Sequence, residues 1–188
     1  MNPRSPSCLP RQAGFTLVEL MFTITIAAIL MVIAVPSFIA YQRNSELTGA
    51  ANGLLASAAA ARTEAMKRNL PALVVPLGSG WASGWRSFVD VDRNGSYGGT
   101  DILVASQRAM PAYFSVTGAG TAAGSAPFLR FDGSGYSAWA NVAFARTDVT
   151  GAALFAQTRY VVLALTGRVR VCKPVSATDP ACSASSNF

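Results

Sequence analysis

Residues 11–43 read RQAGFTLVELMFTITIAAILMVIAVPSFIAYQR, and the fold follows from this stretch. From Phe15 the chain turns apolar, and between Glu19 and Arg43 no residue is charged. As a helix, Leu20 to Gln42 would extend about 34 Å at 1.5 Å per residue, enough to cross the hydrocarbon core of a bilayer. Thr23 and Thr25 do not forbid it, because their hydroxyls can bond back to helix carbonyls. A secretory signal peptide has a shorter apolar core, followed by a small-residue cleavage site. Here the run is longer, and the small pair Ala13-Gly14 comes before it. A plain membrane anchor accounts for the length but leaves Glu19 unexplained. An ionisable group at the start of a span is costly and generally has a partner.

Upstream of the span, residues 1–14 are polar, with Arg4 and Arg11 and no acid. Positive charge there favours an N-terminus on the cytoplasmic side, so that the chain beyond the span is exported. Downstream, Tyr41, Leu47, Leu54, Leu55 and Met66, set among many alanines, predict a continuing helix. Arg43, Glu46, Arg62, Glu64, Lys67 and Arg68 supply its wetter face. Asn69 and Pro71 end it, and Lys67-Arg68 reads as a solvated helix end whose cations complement the dipole.

Beyond Pro71 short β-branched or aromatic runs alternate with Gly, Ser, Asn and Pro clusters. Strands are predicted at Leu73–Leu77, Arg86–Val91, Ile102–Ser106, Ala112–Val116, Phe128–Phe131, Val142–Phe144, Tyr160–Leu165 and Arg168–Cys172. They imply an antiparallel sheet or sandwich packed on the helix. Residues 118–126 are low in complexity and read as a mobile loop. The expected class is α+β, a long N-terminal helix with a C-terminal antiparallel β-rich head. The expected segments are 1–14 (leader), 15–42 (membrane half of the helix), 43–70 (amphipathic half) and 71–188 (head).

The whole chain is 51% hydrophobic and only 13% charged, an excess that sits partly in this span. The formal net charge is +6, with Arg4 and Arg11 in the leader, so the remainder carries about +4, a mild bias toward polyanions. There is no histidine, which excludes imidazole-based catalysis and zinc sites that need imidazole. Ser134, in Gly133-Ser134-Gly135, is not a nucleophile elbow. No phosphate-binding loop is present, and neither an enzyme nor a cofactor is expected. The cysteines are Cys8, Cys172 and Cys182. Loss of Cys8 with the leader leaves a pair, with Pro174 and Pro180 between them. A short disulfide-closed loop fits an oxidising compartment; two unpaired thiols are the alternative.

Arg11 to Glu19, with the apolar run behind it, resembles the type IV prepilin processing motif. The resemblance implies that a prepilin peptidase cuts after Gly14 and methylates the new N-terminus at Phe15. Glu19 is then the family's assembly glutamate. Pro36 falls where pilins often carry a helix-kinking proline. The physics is consistent. In a filament, Glu19 of one subunit can pair with the Phe15 amine of a neighbour, two charges that are each expensive alone in lipid.

The head extends the resemblance. Ala61-Arg62-Thr63-Glu64-Ala65 leading to Arg68-Asn69, Trp85 through Asp92-Arg93-Asn94-Gly95, Phe131-Asp132-Gly133-Ser134-Gly135 and Thr166-Gly167-Arg168 resemble, in this order, the FimT/GspH group of minor pilins and pseudopilins. The implied role is that of a scarce subunit that starts or caps a filament. Its implied partners are other pilins, the prepilin peptidase and the inner membrane.

Two further sites carry chemistry. Asp90, Asp92, Asn94, Gly95 and Asp101 have the spacing of a calcium loop. The last ligand is Asp rather than the longer Glu, strands rather than helices flank it, and Asn94-Gly95 is a hairpin turn, so no metal is expected. Trp81, Trp85 and Trp139 read as core rather than as a binding surface. In a strand over 168–172, Arg168 and Arg170 project to one side and Val169 to the core. Lys173 follows and Arg159 precedes the region, a set of cations able to contact successive phosphates. A charge-protected edge strand is the alternative. FimT-like minor pilins of naturally competent bacteria carry a Gly-Arg-x-Arg motif implicated in DNA binding. Gly167, Arg168 and Arg170 match it, so the resemblance implies DNA as a partner. A type II secretion pseudopilin, a filament-priming subunit without a ligand and a calcium-dependent adhesive tip are the other readings.

Overall fold

The computed structural model describes residues 14–151, 153–176, Asp179 and Cys182. Most of the leader, with Arg4, Cys8 and Arg11, lies outside the described residues. The chain forms two units, Met1–Gln42 and Arg43–Phe188.

A helix, α1 (Leu17–Arg68), runs through Pro36 without interruption. Thr16 caps it, its hydroxyl accepting a hydrogen bond from the Glu19 amide at 3.2 Å. This is one half of a Thr-x-x-Glu capping box, and the Glu19 carboxylate suits the positive end of the helix. Thr23 and Thr25 donate to the carbonyls of Leu20 and Met21, as expected of hydroxyls in an apolar helix. Every side chain from Phe15 to Gln42 is exposed, and this part of α1 is long and apolar enough to cross a membrane. At the other end Asn69 adopts φ 53° and Leu70 N–H reaches Ala65 O at 3.2 Å. This is a Schellman closure with Asn in the left-handed position.

Within the second unit the buried face of α1 is mostly alanine. Leu47, Ala51, Leu54, Ala58, Ala61 and Ala65 are fully buried, three or four residues apart. Small side chains let the helix sit close to the strands. Leu55 is only half-buried and Met66 is exposed.

Two four-stranded antiparallel sheets make up the head. One has the order β3 (Ile102–Gln107), β2 (Trp85–Val89), β1 (Ala72–Pro76), β5 (Leu129–Phe131). The other has β4 (Phe114–Gly120), β6 (Ala140–Arg146), β7 (Thr158–Leu163), β8 (Val169–Cys172). All eight predicted strands are present, with ends shifted by a few residues. The largest shift is at β4, which runs on to Gly120 and pairs with β6 through Gly120↔Ala140. The first three residues of the expected mobile loop are therefore strand. Ala122, in the same expected loop, is buried, and its carbonyl accepts from Trp81 Nε1 at 2.9 Å. A short helix α2 (Ala153–Ala156) was not predicted.

One core joins α1 to both sheets. Trp85 sits at its centre, edge-on to Phe144 with ring centroids 6.1 Å apart, and donates from Nε1 to Ser57 Oγ on α1 at 3.0 Å. Trp81 and Trp85 are thus core, each with its N–H satisfied. Trp139 departs from the expectation, since it is 42% exposed.

Candidate nucleic-acid interface

The Gly-Arg-x-Arg segment forms the turn and first residues of the β7–β8 hairpin. Gly167 N–H donates to Ala164 O at 2.9 Å, and Ala164 N–H donates to Arg168 O at 3.0 Å. Beyond the turn Leu163 pairs with Val169, Val162 with Arg170 and Val161 with Val171. Val169 and Val171 pack on the core. Alternation then turns Arg168 and Arg170 to the opposite face of β8, at the sheet's edge. Arg168 and Lys173 are exposed, while Arg170 is half-buried.

Gly167 has a structural reason of its own. Its φ is +74°, and a Cβ there would lie 1.8 Å from Gly135 O and 2.9 Å from Arg62 Nε. Gly135, with φ +81°, faces α1 in turn: a Cβ there would lie 2.6 Å from Met66 Sδ. Arg62 closes the junction, donating from Nε to Gly135 O and from NH2 to Thr166 O, both at 3.0 Å. The expectation that Arg62 lies on the wet face is corrected here, because its guanidinium is taken up by two turn carbonyls. Three motifs scattered along the sequence, around Arg62, Gly135 and Gly167, are therefore one packed node that fixes where Arg168 begins.

Arg159 does not join the arginine pair. It is 8% exposed and donates to the carbonyls of Ala156 and Thr158 and to Asn44 Oδ1. Burial lowers its pKa. The odd-numbered residues of β7 face α1, so parity sends Arg159 inward.

Past β8 the chain closes through a Cys172–Cys182 disulfide with Cα atoms 5.5 Å apart. Cys182 is buried, and its carbonyl accepts from Asn141 Nδ2 on β6 at 3.1 Å. The bridge thus fastens the end of an edge strand across the outer face of the sheet. Reduction, or Cys172→Ser, is expected to cost roughly 2–3 kcal/mol for so short a loop. Thermal melting with and without reductant checks this, with an expected fall of about 5–10 °C.

The acidic loop between β2 and β3 brings carboxylate oxygens of Asp90, Asp92 and Asp101 within 4.8 Å of one another. Those carboxylates accept backbone N–H bonds within the loop. Asp90 accepts from Asn94 and Gly95, Asp92 from Asn94, and Asp101 from Val91 and Gly98. Ser134 N–H likewise bonds Asp132 Oδ1, so Gly133-Ser134-Gly135 is a turn.

A charged cluster went unread in the sequence. Asp148 accepts from Arg146 and, at 2.7 Å, from Arg43 at the head end of α1. Hydrogen bonds from Arg146 and then Arg43 hold its carboxyl well below the usual range. Tyr113 donates to the Glu46 carboxylate, which raises the phenol's pKa. These groups satisfy one another and fasten α1 to the loop after β6.

An apolar N-terminal helix continuing into an antiparallel two-sheet head is a pilin architecture. The chain belongs to the family of type II transport protein GspH, whose family model matches residues 50–174. The prokaryotic N-terminal methylation motif matches residues 9–35. Among solved structures it is similar to the type IV minor pilin FimU of Pseudomonas aeruginosa in two crystal forms. One is 19% identical with a TM-score of 0.55, covering 72% of this chain and 93% of that one. The other is 18% identical with a TM-score of 0.52, covering 68% and 93%. At that identity the likeness establishes the pilin fold. No curated protein matches with significance. The protein is a minor pilin or pseudopilin with a membrane-anchoring helix.

Proposed function

We propose that the protein is a minor type IV pilin that helps start or cap a pilus and binds DNA without sequence preference through Arg168, Arg170 and Lys173. Before assembly it sits in the inner membrane with its head in the periplasm. Prepilin peptidase removes residues 1–14, and Glu19 pairs with the Phe15 amine of a neighbouring pilin. The observation that carries the DNA reading is the β7–β8 register, which sets two guanidiniums two residues apart on one face of an edge strand. A guanidinium fits phosphate in a bidentate geometry, and contacts of this kind carry no sequence information. So few contacts give weak binding, in the roughly 10⁻⁴ to 10⁻⁶ M range of non-specific complexes. Several subunits in one filament would raise it through avidity.

The test is a salt-titrated binding assay on the mature protein in detergent, wild type against Arg168→Gln/Arg170→Gln. Affinity is expected to fall with salt, and the double variant to flatten the log–log slope by about two on duplex DNA. A folded double variant that binds as tightly as wild type would remove the arginine pair from the site. The match to the type II transport protein GspH favours a second reading, a secretion pseudopilin whose partner is an exported protein. Absence of DNA binding at low salt in the wild type would put that reading first.

A further inference from the structure

Two large aromatic side chains, Tyr136 and Trp139, are exposed in the segment that leads into β6. Ala140, Leu163 and Val169 line up across β6, β7 and β8 with their side chains on the core. One residue before β6, Trp139 is 42% exposed, with its indole lying against Gly120 at the end of β4. Arg168 precedes β8, whose backbone is two strands from β6, about 10 Å at the usual spacing. The next turn continues the surface. Ser137 N–H bonds Leu165 O at 3.0 Å, which sets the Tyr136 turn against the turn that leads to Arg168. Tyr136 is 59% exposed.

From Tyr136 a depression of about 430 Å³ runs to Arg130 and Phe128. A second, of about 380 Å³, shares Phe128 and reaches Arg86 and Tyr97. There the Arg86 guanidinium stands 4.9 Å from the Tyr97 ring centroid. Asp132, at the edge of the first depression, accepts from the Ser134 and Tyr136 amides. Tyr136, Arg130, Phe128, Arg86 and Tyr97 thus make a path of alternating aromatic and arginine side chains through two depressions that share Phe128, with Trp139 and Arg168 on the neighbouring segments.

We infer that this path binds single-stranded DNA in preference to duplex, with bases stacked on Trp139 and Tyr136 and phosphates on Arg168 and Arg130. The inference rests on the reading of Arg168 as a phosphate contact and names the form of nucleic acid it takes. Every base has a π-face, so stacking is tolerant of sequence, as in other single-strand tracks that pair aromatic platforms with a basic groove. A duplex hides those faces in its own stack. Arginines alone do not distinguish the two forms, whereas exposed aromatics do.

The experiment measures binding of fluorescein-labelled oligo(dT) and of a duplex of equal length to the mature protein in detergent, at one salt concentration. Oligo(dT) is expected to bind about tenfold tighter or more, and Tyr136→Ala/Trp139→Ala to remove that advantage while changing duplex affinity less than about twofold. Tyr136→Phe/Trp139→Phe should restore it, because the ring is kept. Trp81 and Trp85 are buried, so oligo(dT) should quench tryptophan fluorescence in wild type and not in Trp139→Phe. Equal losses on both nucleic acids, or an alanine double variant that binds oligo(dT) like wild type, would overturn the inference. Duplex binding that still depends on Arg168 would leave the arginine reading intact in that case. Wild type that binds neither form would end both.

Discussion

Gly167→Ala is expected to destabilise the head by about 4–5 kcal/mol, in the class of change reserved for lost networks and strained backbone. A left-handed φ costs an alanine about 1–2 kcal/mol before any contact is considered. The collision is the larger part. The new methyl would stand 1.8 Å from Gly135 O, a backbone atom that cannot rotate away. Relief requires the two turns to separate, which breaks the Arg62 bonds to Gly135 O and Thr166 O. Hydrogen bonds from a charged donor are each worth about 1.5–3 kcal/mol. Thermal melting should show a fall of about 10–15 °C for a chain of this size. Arg168→Gln, one residue along, should melt within about 2 °C of wild type, because the side chain is exposed. The motif would then divide into a glycine that builds the turn and arginines that the turn presents. A Gly167→Ala protein that melts with wild type would show that the turns are not in the contact described.

The second large effect concerns processing. Gly14→Leu is expected to abolish removal of the leader, and with it entry into the filament. The methylation motif covers residues 9–35, and Gly14 lies two residues before the Thr16 cap, outside α1. Intact mass of membrane-extracted protein checks this. Wild type should lose residues 1–14 and gain one methyl, and Gly14→Leu should keep the whole chain. Glu19→Ala should be cut normally and yet be missing from sheared filaments, since it leaves Gly14 in place and removes the carboxylate proposed to meet a neighbour's amine. Its amide still bonds the Thr16 hydroxyl, so the helix start survives. Full-length wild type in cells with an active peptidase would overturn the processing scheme.

The strands were legible because glycine, proline and asparagine punctuate the head at short intervals, while Val, Phe and Ile fill the runs between them. The apolar half of α1 was legible as helix from its long uncharged run. The end of β4 was not, since Gly118-Ala119-Gly120 has little side chain to show a periodicity and is strand only through its pairing with β6. Arg62 was misread for a related reason. Helical spacing shows which way a side chain leaves α1, not whether a turn 73 residues later will place a carbonyl in its reach. Alternation placed Arg168 and Arg170 on the side of β8 away from Val169 and Val171, which pack on the core. Arg159 was not separated from them, although its odd number in β7 held the answer once the register was known. Trp139 was assigned to the core by residue type, yet it precedes β6 by one residue and lies part-exposed against Gly120 of β4.

The Arg62 clasp also has a mechanical consequence. On the proposed reading, a filament that holds DNA at its end puts that contact under tension. Load applied at Arg168 meets Thr166 within two residues, and Thr166 O is held by a guanidinium rooted in α1. Pull therefore passes into the long helix directly, without first being carried across the strands of the sheet. At the other end of β8 the covalent bridge resists peeling from the edge. The arginine-bearing strand is thus tethered at both ends, and force along it is met in shear by the β7 ladder rather than bond by bond.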